Sequence, residues 1–143
     1  MQKFTLSVST HSKGLYPITP QINELIAKSG VREGMCFLFI QHTSASLTIS
    51  ESYDPTAKLD LEEFMERLAP ENLSWYKHTL EGPDDSTSHM RAILTSTSES
   101  IPIENGRLFM GTWQGVYLFE HRTHPHRRNV VIRILSTDGD NPQ

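Results

Sequence analysis

Two histidines bracket the stretch from His78 to His89, which reads His-Thr-Leu-Glu-Gly-Pro-Asp-Asp-Ser-Thr-Ser-His. A third, His42, follows the apolar run Met35 to Ile40 within Gln41-His42-Thr43-Ser44. Three imidazoles suit zinc, with a fourth position left for water or a substrate oxygen. The interval between His78 and His89 is not that of a His-Glu-x-x-His helix, so the metal reading depends on His42, His78 and His89 meeting in space. The three rings are then expected within about 5 Å of a common point, and metal affinity is expected to fall as the pH drops through about 6.5. Alone, His42 reads first as a hydrogen-bonded structural histidine. Thr43 and Ser44 beside it are candidate substrate contacts. Glu81 has three open roles: general base, metal ligand or solvated loop acid. Asp60 lies at the rim of a helical apolar stripe, where it could lean into a site as a second acid. Asp84 and Asp85 read as helix caps. His11 and His121 have no supporting context and read as exposed.

The segment Glu120-His121-Arg122-Thr123-His124-Pro125-His126-Arg127-Arg128 is the one locally basic stretch. It is either a solvated loop or a clamp in which Arg122 and Arg128 grip a phosphate or carboxylate. There is no Walker loop, dinucleotide glycine pattern or nucleophile-elbow serine. The net charge of −4, with acids and bases mixed, argues against nucleic acid as a partner. No apolar run reaches the roughly 18 residues of a membrane span. The N-terminus lacks the h-region of a signal peptide, and the single Cys36 sits in an apolar run as an inert core thiol. These features together suggest a cytoplasmic protein.

Elements must hold these groups in place. The 143 residues favour a single domain spanning 1–143, with 137–143 frayed. Phe4, Leu6 and Val8 alternate as a half-buried strand, and His11 to Tyr16 reads as a loop. Thr19-Pro20 opens a helix with Thr19 as its cap, an Ile22, Leu25 and Ile26 stripe, and Gly30 as its stop. Met35 to Ile40 reads as a strand buried on both faces. Ala45, Leu47 and Ile49 alternate as the next strand, joined to it by a hairpin or as one long bent strand. Asp54-Pro55 starts a second helix with Ala57, Leu61, Phe64, Met65 and Leu68 on its stripe; a third helix has Met90, Ile93 and Leu94. Thr95 to Ser100 reads as the polar end of that helix. Leu108 to Met110, Val116 to Phe119 and Val130 to Leu135 are strands. Gly111 to Gly115 forms a tight turn or bulged bend in which Trp113 is expected to be buried. Gln114 then serves either its own backbone or a substrate. The whole is α+β: mostly antiparallel sheets forming a sandwich or partial barrel, with about three helices.

Gln41-His42-Thr43-Ser44-Ala45-Ser46-Leu47-Thr48, Asp54-Pro55, His78 with Glu81-Gly82, Ser88-His89 and Gly111-Thr112-Trp113-Gln114 occur in this order. Together they closely resemble the YjbQ family, over about Phe4 to Leu135. Glu120-His121-Arg122 and Arg127-Arg128 also look like its bacterial members; His124-Pro125-His126 departs from them, since they tend to carry glycines there. The resemblance implies a compact α+β fold, a homotrimer and a histidine site for a divalent metal, zinc or magnesium, matched here by His42, His78 and His89. It also implies secondary thiamine-phosphate synthase activity, joining a pyrimidine diphosphate to a thiazole phosphate. The expected enzyme therefore acts on a small phosphorylated metabolite. The other reading is a non-catalytic trimeric protein that binds a small anionic metabolite.

Overall fold

The computed structural model describes residues 1–138. Its chain runs β1 (Gln2–Thr10), β2 (Gly14–Pro17), α1 (Thr19–Ser29), β3 (Gly34–Ile40), β4 (Ala45–Glu51), α2 (Pro55–Leu68), α3 (Asp85–Leu94), β5 (Ser98–Glu104), β6 (Arg107–Leu108), β7 (Gln114–Glu120) and β8 (His126–Ser136). The strands form a five-stranded sheet, β1-β8-β3-β5-β6, and a three-stranded sheet, β2-β7-β4. Every pairing is antiparallel. The curled sheets and three helices make the α+β partial barrel expected from the sequence. Cys36, Leu38, Ile132 and Ile134 of the large sheet meet Leu47, Val116 and Leu118 of the small one in a single core, together with Ile22 and Ile26 of α1.

Local signals explain much of this. Phe4, Leu6 and Val8 turn to the core from β1. Asp54 caps α2, its carboxylate accepting the Thr56 N–H at 2.9 Å, and Pro55 opens the helix. Gly30 ends α1 in the left-handed conformation. Thr19, however, is not the cap of α1: Ile18 holds that position, and the Thr19 hydroxyl accepts the Val116 N–H at 2.8 Å. The structure also adds two strands within the expected loops. Leu15 and its neighbours pair with β7 as β2. Ser98 to Glu104 pairs with β3 as β5, burying Ile101 and Ile103, and turns through Asn105-Gly106 into β6. Both turn residues have positive φ, 54° and 76°, the geometry that Asn-Gly favours in a two-residue hairpin.

Other expectations are corrected. β3 is buried on one face only: Cys36, Leu38 and Ile40 point inward, while Phe39 is 50% exposed on the other side of the sheet. Trp113, expected to be buried, is 55% exposed and leans edge-on against Tyr53. Ile93 is 84% exposed, because α3 turns a mostly polar side inward: Asp85, Thr87, Ser88 and Arg91, with Ala92 beside them. Arg91 sets that orientation by donating from Nε and Nη2 to the Ala69 carbonyl, at 3.2 and 2.8 Å, and from Nη1 to Glu66. On α2, Phe64 and Leu68 lie exposed, and Met65 carries the packing against Leu15, Tyr117 and Phe119.

β3 and β4 are not a hairpin. β3 pairs with β5 and β8 in the large sheet, β4 with β7 in the small one. The chain crosses between sheets at Gln41–Ser44, a bend nearer to the bent-strand alternative. Of the expected frayed tail, Thr137 and Asp138 are fixed instead. The Thr137 N–H donates to the Glu33 carbonyl at 3.0 Å, and the Asp138 carboxylate accepts the Arg32 N–H at 2.7 Å. The remaining positions, 139–143, lie outside the described residues. No helix among the described residues is long and apolar enough to cross a membrane.

Candidate metal centre

The crossing at Gln41–Ser44 lies beside the first turn of α3, and the candidate site forms there. Asp85 opens α3 and His89 follows one turn later, so both side chains project from the same face. His78 arrives from the preceding loop. Asp85 Oδ2 lies 2.6 Å from His78 Nε2 and 3.1 Å from His89 Nε2. The three residues offer ligand atoms all within 4.8 Å of one another. Asp85 is buried, His89 half-buried and His78 exposed.

The tautomer of His89 is fixed by chemistry. Its Nδ1 lies 2.9 Å from the Thr43 carbonyl, which can only accept, so Nδ1 carries the hydrogen. In the neutral ring, Nε2 is then a lone pair facing the Asp85 carboxylate. Two acceptors at 3.1 Å repel unless a cation stands between them: a second proton, making imidazolium, or a metal ion. Two imidazole nitrogens and one carboxylate oxygen are an ordinary zinc donor set, with one imidazole oriented through its far nitrogen by a backbone carbonyl. The residues present therefore fit a divalent metal of the zinc type better than magnesium, which prefers six oxygens.

Charge around the cluster is held by Arg122. Its Nη1 donates to Asp85 Oδ1 at 2.6 Å and its Nε to Asp84 Oδ2 at 2.9 Å. Nη2 donates to the Glu81 carbonyl at 3.0 Å. Burial pushes the Asp84 carboxyl up, but the Arg122 guanidinium and the Thr123 N–H outweigh it and hold it at about 2. Burial also raises Asp85, and the bonds and charges of His78, His89 and Arg122 reverse that to below the usual carboxylate range.

Two cavities adjoin the cluster, one beside each histidine. A cavity of about 590 Å³ is lined by His42, Thr43, His89, Ile93, Thr95 and Thr97 among others. A second, of about 430 Å³, is lined by Asn72, Ser74, His78, Thr79 and Ser86 among others. Neither lining includes an arginine or lysine.

The sequence candidates fall into distinct places. His78 and His89 come together, and Asp85 joins them. His42 lines the larger cavity with His89 but is not in the three-residue cluster. Its Nε2 accepts the Asn129 N–H at 2.8 Å, which ties the bend to β8. Burial, then the Arg128 charge, lowers the His42 pKa. Thr43 supplies the His89 anchor through its carbonyl. Ser44 is buried, with Oγ 2.9 Å from Arg128 Nη2. Arg128 does not reach a ligand: its fork closes on Glu120, with Nε 2.8 Å from Oε1 and Nη2 on Oε2. Arg122 is likewise closed on Asp84 and Asp85, so neither arginine is free to grip an anion. Glu81 is exposed and its carboxylate makes no hydrogen bond among the described residues. Asp60 is exposed on α2 and lines neither cavity. Gln114 is at the far end of the β4–β7 ladder, where Oε1 accepts the Gly111 N–H at 2.8 Å; of its two expected roles the structure gives it the backbone one.

Sequence reasoning passed over Asp85, whose position four before His89 marks a shared helical face. It also passed over His121, read as exposed but only 1% exposed, with Nε2 2.9 Å from Ser46 Oγ and Nδ1 lacking a hydrogen-bond partner. The run of buried β7 residues leading up to it was the available signal.

Fold and cluster define an antiparallel α+β protein with a His-His-Asp site at the corner between its sheets. The chain belongs to the YjbQ family: residues 3–137 match the family described as UPF0047 protein YjbQ-like. It is 47% identical to a UPF0047 protein of Synechocystis over 90% of this chain and 88% of that one. It is 42% identical to the UPF0047 protein YjbQ of Escherichia coli O157:H7, over 91% and 94% of the two chains. Among solved structures, a conserved hypothetical protein from Thermus thermophilus superposes with a TM-score of 0.83 at 34% identity, over 92% of this chain and 99% of that one. A hypothetical protein from Aeropyrum pernix gives 0.85 at 25%, over 95% and 99%.

Proposed function

We propose that the chain is a metal-dependent enzyme of phosphate or pyrophosphate chemistry, with a zinc-type ion held by His78, His89 and Asp85. The observation that carries this reading is the facing pair of acceptors, His89 Nε2 and Asp85 Oδ2, whose repulsion a cation relieves. A bound ion supplies the positive charge that a phosphate or a departing pyrophosphate requires, and the closed forks of Arg122 and Arg128 leave that role to it. The chain's own part is to orient: Thr43 fixes the His89 ring, and the two cavities give room on either side of the cluster for two substrates. Glu81, whose charge acts on Arg122 and whose carboxylate makes no hydrogen bond among the described residues, is the candidate for moving a proton. This arrangement suits the joining of two small molecules, the reaction class implied by the resemblance to secondary thiamine-phosphate synthase. A reducing, cytoplasmic setting is part of the same reading, consistent with the single buried thiol of Cys36.

Calorimetric titration of the metal-free protein with zinc is expected to show one site per chain. His89→Ala or Asp85→Asn is expected to weaken it more than about 100-fold, beyond the 10–100-fold typical of losing an outer partner. The loaded protein is then screened with pairs of a diphosphate ester and a nucleophile. Turnover above a His78→Ala control supports the enzyme; saturable binding without turnover supports a non-catalytic binder of anionic metabolites; no zinc binding removes the metal reading. The assembly we propose is a homotrimer, for which exposed Phe64, Leu68 and Leu94 offer apolar surface. Light scattering should return three times the chain mass; a monomer mass across the micromolar range would remove that claim.

A further inference from the structure

We propose that Arg122 is the positioning residue that makes Asp85 a one-oxygen ligand, and so sets the coordination number of the site. This rests on the metal reading above. The guanidinium spans two neighbouring carboxylates: Nη1 holds Asp85 Oδ1 at 2.6 Å, and Nε holds Asp84 Oδ2 at 2.9 Å. Asp84 is itself immobilised, because Oδ2 also accepts the Thr123 N–H at 2.8 Å, and Nη2 of the arginine is anchored on the Glu81 carbonyl. The fork therefore has fixed points on three sides. With Oδ1 occupied, Asp85 turns only Oδ2 toward His78 and His89.

This matters for the metal. A carboxylate free to rotate can chelate through both oxygens, which favours larger, oxygen-rich coordination. Held by one oxygen between two imidazoles, it defines a three-ligand set of the kind that leaves zinc one open position. The charges also balance usefully. Two carboxylates and one guanidinium sum to −1, so a divalent ion leaves the group at +1, and an anionic substrate completes it. The side chain that looked from sequence like an anion clamp thus serves the anion indirectly, by shaping the ion's site. Lysine cannot replace it, since a single ammonium lacks the planar fork that reaches both carboxylates.

The test uses the whole protein and two probes, zinc and cobalt(II). Arg122→Lys keeps the charge and removes the fork. Zinc affinity is expected to fall 10- to 100-fold by competition titration. Cobalt bound to the unaltered protein is expected to show the intense visible bands of low coordination, and in Arg122→Lys the weak bands of higher coordination. A change in spectrum is not produced by loss of stability alone. Asp84→Asn, which loosens the arginine from its other anchor, is the second variant and should move the spectrum in the same direction by less. If both variants bind zinc as tightly as the unaltered chain, with unchanged cobalt spectra, Arg122 does not position Asp85. If the unaltered chain binds neither ion, the metal reading itself has failed.

Discussion

Glu120→Ala is expected to destabilise the fold by about 3–5 kcal/mol, the usual consequence of removing one partner from a buried ion pair. Arg128 is 4% exposed and Glu120 fully buried. The carboxylate accepts from Arg128 through both oxygens, from the Thr10 hydroxyl at 2.6 Å, and from the His121 and Arg122 backbone N–H groups, each at 3.1 Å. Burial raises its pKa, and the Arg128 and Thr10 bonds outweigh that, keeping it charged. Truncation therefore strands a buried guanidinium and removes the acceptor that joins β1, β7 and β8. Urea unfolding of Glu120→Ala measures the loss. Replacing both partners by apolar residues, Glu120→Leu with Arg128→Met, should recover much of it, because no charge then remains buried without its partner. A loss below about 1 kcal/mol in the single variant would mean that Arg128 finds water or another acceptor.

Stability should also decline in mild acid through a buried histidine. Burial holds the His121 ring neutral, and the Arg91 and Arg128 charges reinforce it against the opposing Glu120, so its pKa falls to about 3. The unfolded ring titrates near 6.5, so unfolded chains take up a proton that folded ones refuse. The contribution is complete above pH 6.5 and is lost progressively as the pH falls toward 3. The slope approaches about 1.4 kcal/mol per pH unit, or roughly 2 kcal/mol by pH 5. His42, also lowered, adds to the slope in the same direction. The informative quantity is therefore the difference from His121→Gln, measured by urea unfolding at pH 7.5, 6 and 5. The variant should be flatter by most of that slope. Parallel curves would show that His121 is protonated in the fold or reaches water.

These effects reside in pairings that the sequence did not reveal. What was legible was local. Asp54-Pro55 announced α2 because the cap and the ring act within one turn. The alternation of Phe4, Leu6 and Val8 announced β1. Asn105-Gly106 was equally local, and the hairpin it makes could have been read. The polar inner side of α3 could not be: Arg91 is buried by acceptors on Ala69 and Glu66, more than twenty residues away, and apolar periodicity pointed to Ile93 instead. In the site, His78 and His89 were recognised by type, and Asp85 was recoverable from its helical spacing. The closing of Arg122 on Asp84 and Asp85, 38 and 37 residues distant, is a tertiary fact; it removes one expected anion-gripping arginine, and the pairing of Arg128 with Glu120 removes the other.

The inward polar side of α3 also gives the site a distinctive response to temperature. Burial of apolar surface has a large heat-capacity signature, and its driving force fades on cooling; burial of polar groups has a heat capacity of opposite sign. The sheet core follows the first rule. The docking of α3, through Asp85, Thr87, Ser88 and Arg91, follows the second. Cooling should therefore weaken the sheet core more than the attachment of the helix carrying Asp85 and His89. Asp85 and His89 thus ride on an element whose docking rests mainly on polar burial, while His78 reaches them from the preceding loop.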